Sequence, residues 1–258
     1  MRRAFIKPES LLPRGRRDAM HQVVLGVSAY MLYEVVRAIP HGAGTYKPFG
    51  DANKIIDLER LLHVFVEPSV QAWTASVHWL MDFADWTYLN AHYFVTIGAL
   101  VFIYLRRNDS FYFVRNMFMV AMALALVGYF FYPTAPPRLM PEWGFTDSIS
   151  QFVMGGVGHT DNSPASAFLN GYAAVPSIHV CFALMVGFPM ASLVRRRAAR
   201  IAWRTYPLLI VFVVVATGNH YLTDVVLGGL TAAASWVLAE RLFARARPER
   251  WAFGQAPA

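Results

Sequence analysis

IAWRTYPLLIVFVVVATGNHYLTDVVLGGLTAAASWVLAERLF, residues 201–243, is apolar almost throughout. Between Arg204 and Glu240 only His220 and Asp224 interrupt it with a histidine or a carboxylate. As a single helix that stretch would measure about 50 Å, well beyond the roughly 30 Å of hydrocarbon in a bilayer. Gly218-Asn219 supplies the break, so it reads as two short spans, 201–218 and 221–243, joined by a tight turn at one membrane face.

Working outward, four further apolar stretches have spanning length, at approximately 19–39, 86–105, 111–132 and 178–194. Of the 258 residues 56% are hydrophobic and 15% charged, a balance that argues against a soluble globular domain. The expected fold is all-α: a polytopic membrane protein with a six-transmembrane-helix bundle. Orientation follows from the cations, because Lys and Arg in short loops mark the cytoplasmic side. Arg2, Arg3, Lys7, Arg14, Arg16 and Arg17 precede the first span, Arg106 and Arg107 follow the second, Arg195 to Arg204 follow the fourth, and Arg241 to Arg250 follow the sixth. All fall on one side, so both termini are expected in the cytoplasm, with 40–85, 133–177 and the Gly218 turn on the outer face. The net charge of +7 is therefore spent on juxtamembrane flanks, and no nucleic-acid partner is expected.

The lone Cys181 rules out an intrachain disulfide and a Cys-rich metal site. The N-terminus reads as an uncleaved anchor, since no small-x-small cleavage site follows its basic and apolar regions. No internal repeat or soluble-domain boundary is visible, giving a basic segment 1–18, one membrane domain 19–245 and a tail 246–258. GDANKIIDLERLLHVFVEPSVQAW, residues 50–73, alternates apolar and charged residues as an amphipathic helix does and is too polar to span; it is expected on the outer face.

Three groups carry chemistry. In PSIH (176–179), Pro176 and Ser177 open the fourth span; the free N–H groups of that first turn and the Ser177 hydroxyl form an anion site, with His179 beside it as a proton donor. In GNHYLTDVVLGG (218–229), His220 and Asp224 are four apart, so the carboxylate can fix the imidazole tautomer and leave the other nitrogen nucleophilic. In YPTAPPRLM (132–140), prolines hold Arg138 at the outer boundary, where a guanidinium suits phosphate oxygens. Each has a plain structural alternative: a helix cap with an interfacial histidine, an intramembrane ion pair or proton path, and an arginine on lipid headgroups. Their shared position at the outer ends of the third, fourth and fifth-to-sixth spans points instead to phosphoryl transfer through a phosphohistidine. Glu34 and Arg37 read as an i,i+3 ion pair, and Trp73, Trp79, Trp86 and Trp143 as an interfacial belt. His63, His78, His92 and His159, taken with His179 and His220, lack the HxxxH or HExxH spacing of a helix-borne metal site.

With PTAPPR (133–138), NGYAAVPSIHV (170–180) and GNHYLTDVVLGG in that order, the chain resembles the type 2 phosphatidic acid phosphatase (PAP2) superfamily. The nearest branch is the inositolphosphotransferase-like group that contains inositol phosphorylceramide synthases. LNAHYF (89–94) and FYFVRN (111–116) extend the likeness, which covers the chain from about Ala52 onward. The resemblance implies His220 as nucleophile, Asp224 as its orienting partner, His179 as general acid, and Arg138 and Ser177 as phosphate ligands. It also implies that no metal or other cofactor is needed, and a membrane lipid substrate, a phospholipid or polyprenyl phosphate.

Two positions depart from the phosphatase branch: Phe131 stands where that branch has a lysine, and Val213-Val214 where it has a Ser-Arg pair. Lys47, Lys54, Arg60 and Arg115 are the candidates to replace those contacts. The expected function is a plasma-membrane phosphotransferase moving a lipid-linked phosphate or phosphodiester at the outer face. The alternatives are a phosphatase hydrolysing phosphatidic acid or polyprenyl phosphates and, from another class, a proton-coupled lipid transporter.

Overall fold

The computed structural model describes residues 12–38, 46–154, 172 and 174–254. Helix α1 (Gly15–Ala38) is followed by α2 (Tyr46–Leu61), α3 (Glu67–Ala75) and α4 (His78–Trp86), which runs through a π-helical turn (Thr87–Ala91) into α5 (His92–Arg106). Then come α6 (Asn108–Phe131), two 3₁₀ turns, α7 (Ser148–Met154), α8 (Ile178–Leu193), α9 (Arg197–Ala216), α10 (Leu222–Leu238) with a π-helical end, and α11 (Pro248–Trp251). The all-α expectation holds.

Five helical stretches among the described residues are long and apolar enough to cross a membrane: 15–37, 78–106, 108–131, 197–216 and 222–244. The sixth expected span, α8, is apolar but has only 16 residues. It is apolar around its whole circumference and lies inside the bundle, packed against α5, α6, α9 and α10. The outer helices turn Met20, Val24, Leu32, Phe94, Ile97, Phe130, Leu208, Val226 and Leu230 outward, a continuous apolar surface that only a lipid solvent makes favourable.

The second span begins at His78, one helix earlier than the sequence suggests, because α4 joins α5 without a break. The amphipathic segment is also corrected: it is two helices. After Leu61 the chain turns at His63, whose φ is +58°, and Val64 N–H donates to the Glu59 carbonyl at 2.9 Å; Pro68 then opens the next helix. Ile55, Ile56 and Phe65 pack α2 against Met140, Phe145 and Tyr221, so this pair covers one end of the bundle.

The opposite end is tied by polar contacts among α1, α5, α6, α8 and the C-terminal segment. The Arg107 guanidinium donates to the Leu193 carbonyl at 3.0 Å, joining the start of α6 to the end of α8. Tyr104 and Tyr112 both donate to Asp18 near the start of α1, and Gly254 N–H donates to Ser110. The sequence groups all these residues on one face.

Helices in lipid associate by close packing, which small residues permit. A Cβ on Gly187 of α8 would stand 2.6 Å from the Trp203 carbonyl and 3.0 Å from the Pro207 ring on α9. Gly187→Ala is therefore expected to lose roughly 1–3 kcal/mol by overpacking, read as a lower Tm in detergent, while the far end of the bundle keeps its geometry.

Candidate active site

The site forms where α6 ends, α8 begins and α9 turns into α10. The turn is built from its own polar groups. Gly218 adopts φ +64°, which favours glycine, and its carbonyl accepts from Arg138 N–H at 2.7 Å. Asn219 N–H and His220 N–H both donate to the Val214 carbonyl, and the Asn219 amide donates to the Thr217 hydroxyl at 2.8 Å.

His220 sits in the turn, just before helix α10, so the pairing with Asp224 does not come from a shared helical face. It comes from capping: Asp224 is the third residue of α10, and its Oδ2 accepts Tyr221 N–H at 3.0 Å while facing His220 Nδ1 at 3.4 Å. With Nδ1–H turned to the carboxylate, Nε2 carries the ring's lone pair. Both residues are buried.

Ser177 caps α8, accepting Val180 N–H at 3.4 Å, and its own N–H donates to the Asp224 carbonyl at 3.1 Å. The two motifs are thus in direct contact, and Gly228 makes room for it, since a Cβ there would lie 2.5 Å from the Ser177 carbonyl. His179 stands with its ring centre 5.8 Å from that of His220. It is held between Tyr88, stacked at 4.4 Å, and His92, also at 4.4 Å, which itself stacks on Phe182.

Arg138 reaches the same place from the 3₁₀ turn after α6. Its Nε donates to Asn219 Oδ1 at 2.9 Å, and Nη1 pairs with Asp147 at 3.2 Å. These contacts aim the guanidinium at the turn that carries His220. Arg138, Ser177, His179, His220 and Asp224 are therefore brought together: one fork of donors, a helix N-terminus, and two imidazoles, one backed by a carboxylate. Such a set can bind an oxyanion, donate a proton and offer a nitrogen nucleophile.

The four further cations are not gathered this way. Lys47 donates to the Phe131 carbonyl at 3.5 Å, at the end of the helix where this chain has Phe131 in place of the lysine of the phosphatase branch. Lys54 pairs with Asp51 on its own helix at 2.8 Å, and Arg60 lies over the Trp143 ring at 5.2 Å. Arg115 bonds Gln22 and Asn116 some four turns from the site end of α6, at the Asp18 end of the bundle, and does not face this site. His159 lies outside the described residues.

Several neighbours escaped the sequence reading. Tyr88 carries no charge signal, and His92 stood out only within LNAHYF and as a metal ligand set aside on spacing; the π-helical turn that holds Tyr88 and leads into His92 is the local irregularity that marks the place. Arg37 does pair with Glu34, at 2.7 Å, and lies over the Tyr33 ring at 6.0 Å. Glu59 and Glu67, both buried, reach the first turn of α10. Glu59 falls on the face of Ile55 and Ile56, a carboxylate on an apolar stripe, and that was the available clue.

Residues 53–238 match the family model described as the PAP2 superfamily. No curated protein and no solved structure gives a significant match to the chain.

Arg138 is bonded to the turn that carries His220, a position from which its guanidinium could hold an oxyanion. Arg138→Met is expected to weaken binding of orthovanadate or phosphate to the purified protein by roughly ten- to a hundredfold, the loss of about 1.5–3 kcal/mol for a charged hydrogen bond, measured by calorimetry in detergent. Arg115→Met should leave that affinity alone.

Proposed function

The chain belongs to the PAP2 superfamily, which carries membrane phosphatase and phosphotransferase activity, and on that premise we propose an integral membrane phosphotransferase that moves a lipid-linked phosphate or phosphodiester through a phosphohistidine on His220. The observation that carries this reading is the buried His220–Asp224 pair with His179 across from it at 5.8 Å between ring centres.

The donor's phosphoryl oxygens are held by Arg138, by the Ser177 hydroxyl and by the first N–H groups of α8. His220 Nε2 attacks phosphorus; a P–N bond forms as the P–O bond to the donor alcohol breaks. His179 gives its proton to the departing alkoxide, and the anionic substrate supplies the counter-charge that this buried imidazole needs while it carries that proton. Asp224 holds Nδ1–H and offsets the positive charge that develops on the His220 ring. In the second half the acceptor hydroxyl attacks phosphorus, returns its proton to His179, and releases His220.

Transfer to an alcohol is favoured over hydrolysis because the positions that resemblance assigns to two phosphatase ligands are unavailable here. Phe131 points outward, 69% exposed, and Val214 is fully buried with its carbonyl capping the turn. The grip on phosphate is therefore built differently. The basic clusters lie at the end of the bundle away from the site, so by the positive-inside rule the site faces outward and the substrate is drawn from the outer leaflet.

Incubation with phosphate-labelled phosphatidylinositol or polyprenyl phosphate is expected to leave acid-labile, base-stable label on His220. Turnover should depend on an added acceptor alcohol; release of label to water at the same rate without acceptor would mark a phosphatase. His220→Ala is expected to lose both label and turnover, and Asp224→Asn to slow turnover by roughly 10³–10⁴-fold, the scale of a misplaced imidazole tautomer. Lipid movement driven by a pH gradient with no phosphoryl turnover would replace the enzyme reading with a transporter.

A further inference from the structure

The first turn of α10 is held from outside its own helix. Leu222 N–H donates to Glu67 Oε1 at 2.8 Å and Thr223 N–H donates to Glu59 Oε1 at 2.6 Å. Glu59 comes from α2 and Glu67 from α3, either side of the His63 turn, and they are 1% and 0% exposed. Because they accept from adjacent N–H groups of one helical turn, the two carboxyl groups lie side by side, and Oε2 of each has no hydrogen-bond partner among the described residues. Two ionised carboxylates would present only acceptors to one another in a buried place; one proton between them allows a hydrogen bond.

We propose that Glu59 and Glu67 share one proton and act as a positioning pair, holding the start of α10 so that His220 and Asp224 stay aligned for phosphoryl transfer. The inference rests on the reading of His220 as the nucleophile.

The surroundings favour the shared proton. Asp224 caps the same helix start, and Glu142 from the second 3₁₀ turn acts on Tyr221, so these neighbours add negative charge. The Tyr221 phenol is itself pushed well above its usual range by burial and by Asp224, Glu59 and Glu67, and stays neutral. On α2, Arg60 turns its guanidinium onto the Trp143 ring, and Lys54 is occupied by Asp51. Arg138 is engaged by Asn219 and Asp147. Burial, followed by Glu67, raises the Glu59 carboxyl from 4.5 to about 8, against the opposing pull of Thr223 N–H.

The sign is set by that direction. Between its ordinary range and about pH 8 the folded chain holds a proton that the unfolded chain has released. Stability contributed at this site falls as pH rises through that window and levels off above it. Activity should fall later, as the folded pair loses its proton around pH 8 and the two carboxylates repel.

Glu59→Gln tests this, because its amide oxygen still accepts Thr223 N–H while its NH₂ donates permanently to Glu67. One unit above its pKa only about a tenth of wild-type molecules keep the proton. The ratio of turnover at about pH 9 to that at about pH 7 is therefore expected to rise by up to about tenfold in Glu59→Gln. The decline in Tm of the wild type between pH 5 and pH 8 should be shallower in the variant. Infrared spectra of the wild type should show a carboxylic-acid C=O band that titrates near pH 8 and is missing from Glu59→Gln. Should that variant not fold, Glu67→Gln provides the same comparison.

An unchanged alkaline limb, with no titrating band in the wild type, overturns the proposal. Full turnover in His220→Ala would overturn the nucleophile assignment instead, and the Tm and infrared comparisons would still report on the shared proton.

Discussion

The amide N–H groups of Tyr221, Leu222 and Thr223 open a helix at which Tyr221 is fully buried and Leu222 and Thr223 are half-buried, and any of them shut off from solvent without an acceptor costs about 1–3 kcal/mol. The acceptors come from three helices: Asp224 from α10 itself, Glu67 from α3 and Glu59 from α2. That requirement fixes the rest of the site. His220 immediately precedes these amides, Asp224 serves at once as their cap and as its partner, and Ser177 is bonded to the Asp224 backbone. Moving any of the three acceptors would tilt the helix start and carry the imidazole with it. The α2–α3 pair that covers this end of the bundle is thus also a structural part of the candidate site.

How close the helices come is decided by three glycines. Gly228 faces the Ser177 carbonyl, Gly128 faces the Val175 carbonyl and Pro176, and Gly187 faces the Trp203 carbonyl. Two of these contacts flank the segment that delivers Ser177 and His179, so backbone packing rather than a side chain sets the depth of the proposed oxyanion cradle. Such spacing suits a membrane interior, where close packing replaces hydrophobic exclusion as the force between helices.

The spanning helices were legible because the bilayer imposes a length and a polarity on them, and the Gly218 break was legible because a helix through it would overrun the membrane. Arg138, Ser177, His179, His220 and Asp224 were legible as costly polar residues at span ends. The His63 turn was not: the apolar pattern continues across it, and the positive φ belongs to a residue that gives no glycine signal. The Glu59–Glu67 contact needs the two halves of the amphipathic segment folded back on one another, which no local pattern encodes. Tyr88 and His92 pack on His179 from a neighbouring helix, a tertiary fact. Arg115 is a different case, since counting from Asn108 to Phe131 along α6 is enough to put it at the far end.

Phe131 and Val214 bear on how readily the chain could change its chemistry over generations. A lysine at 131 would project from the end of α6 into the surface that faces lipid, and an arginine at 214 would have to enter a filled space among Val180, Ala183 and Ile210. Neither single replacement recovers the ligands that resemblance assigns to a phosphatase. A chain that grips phosphate without these two positions, as we propose, would therefore not regain them one substitution at a time.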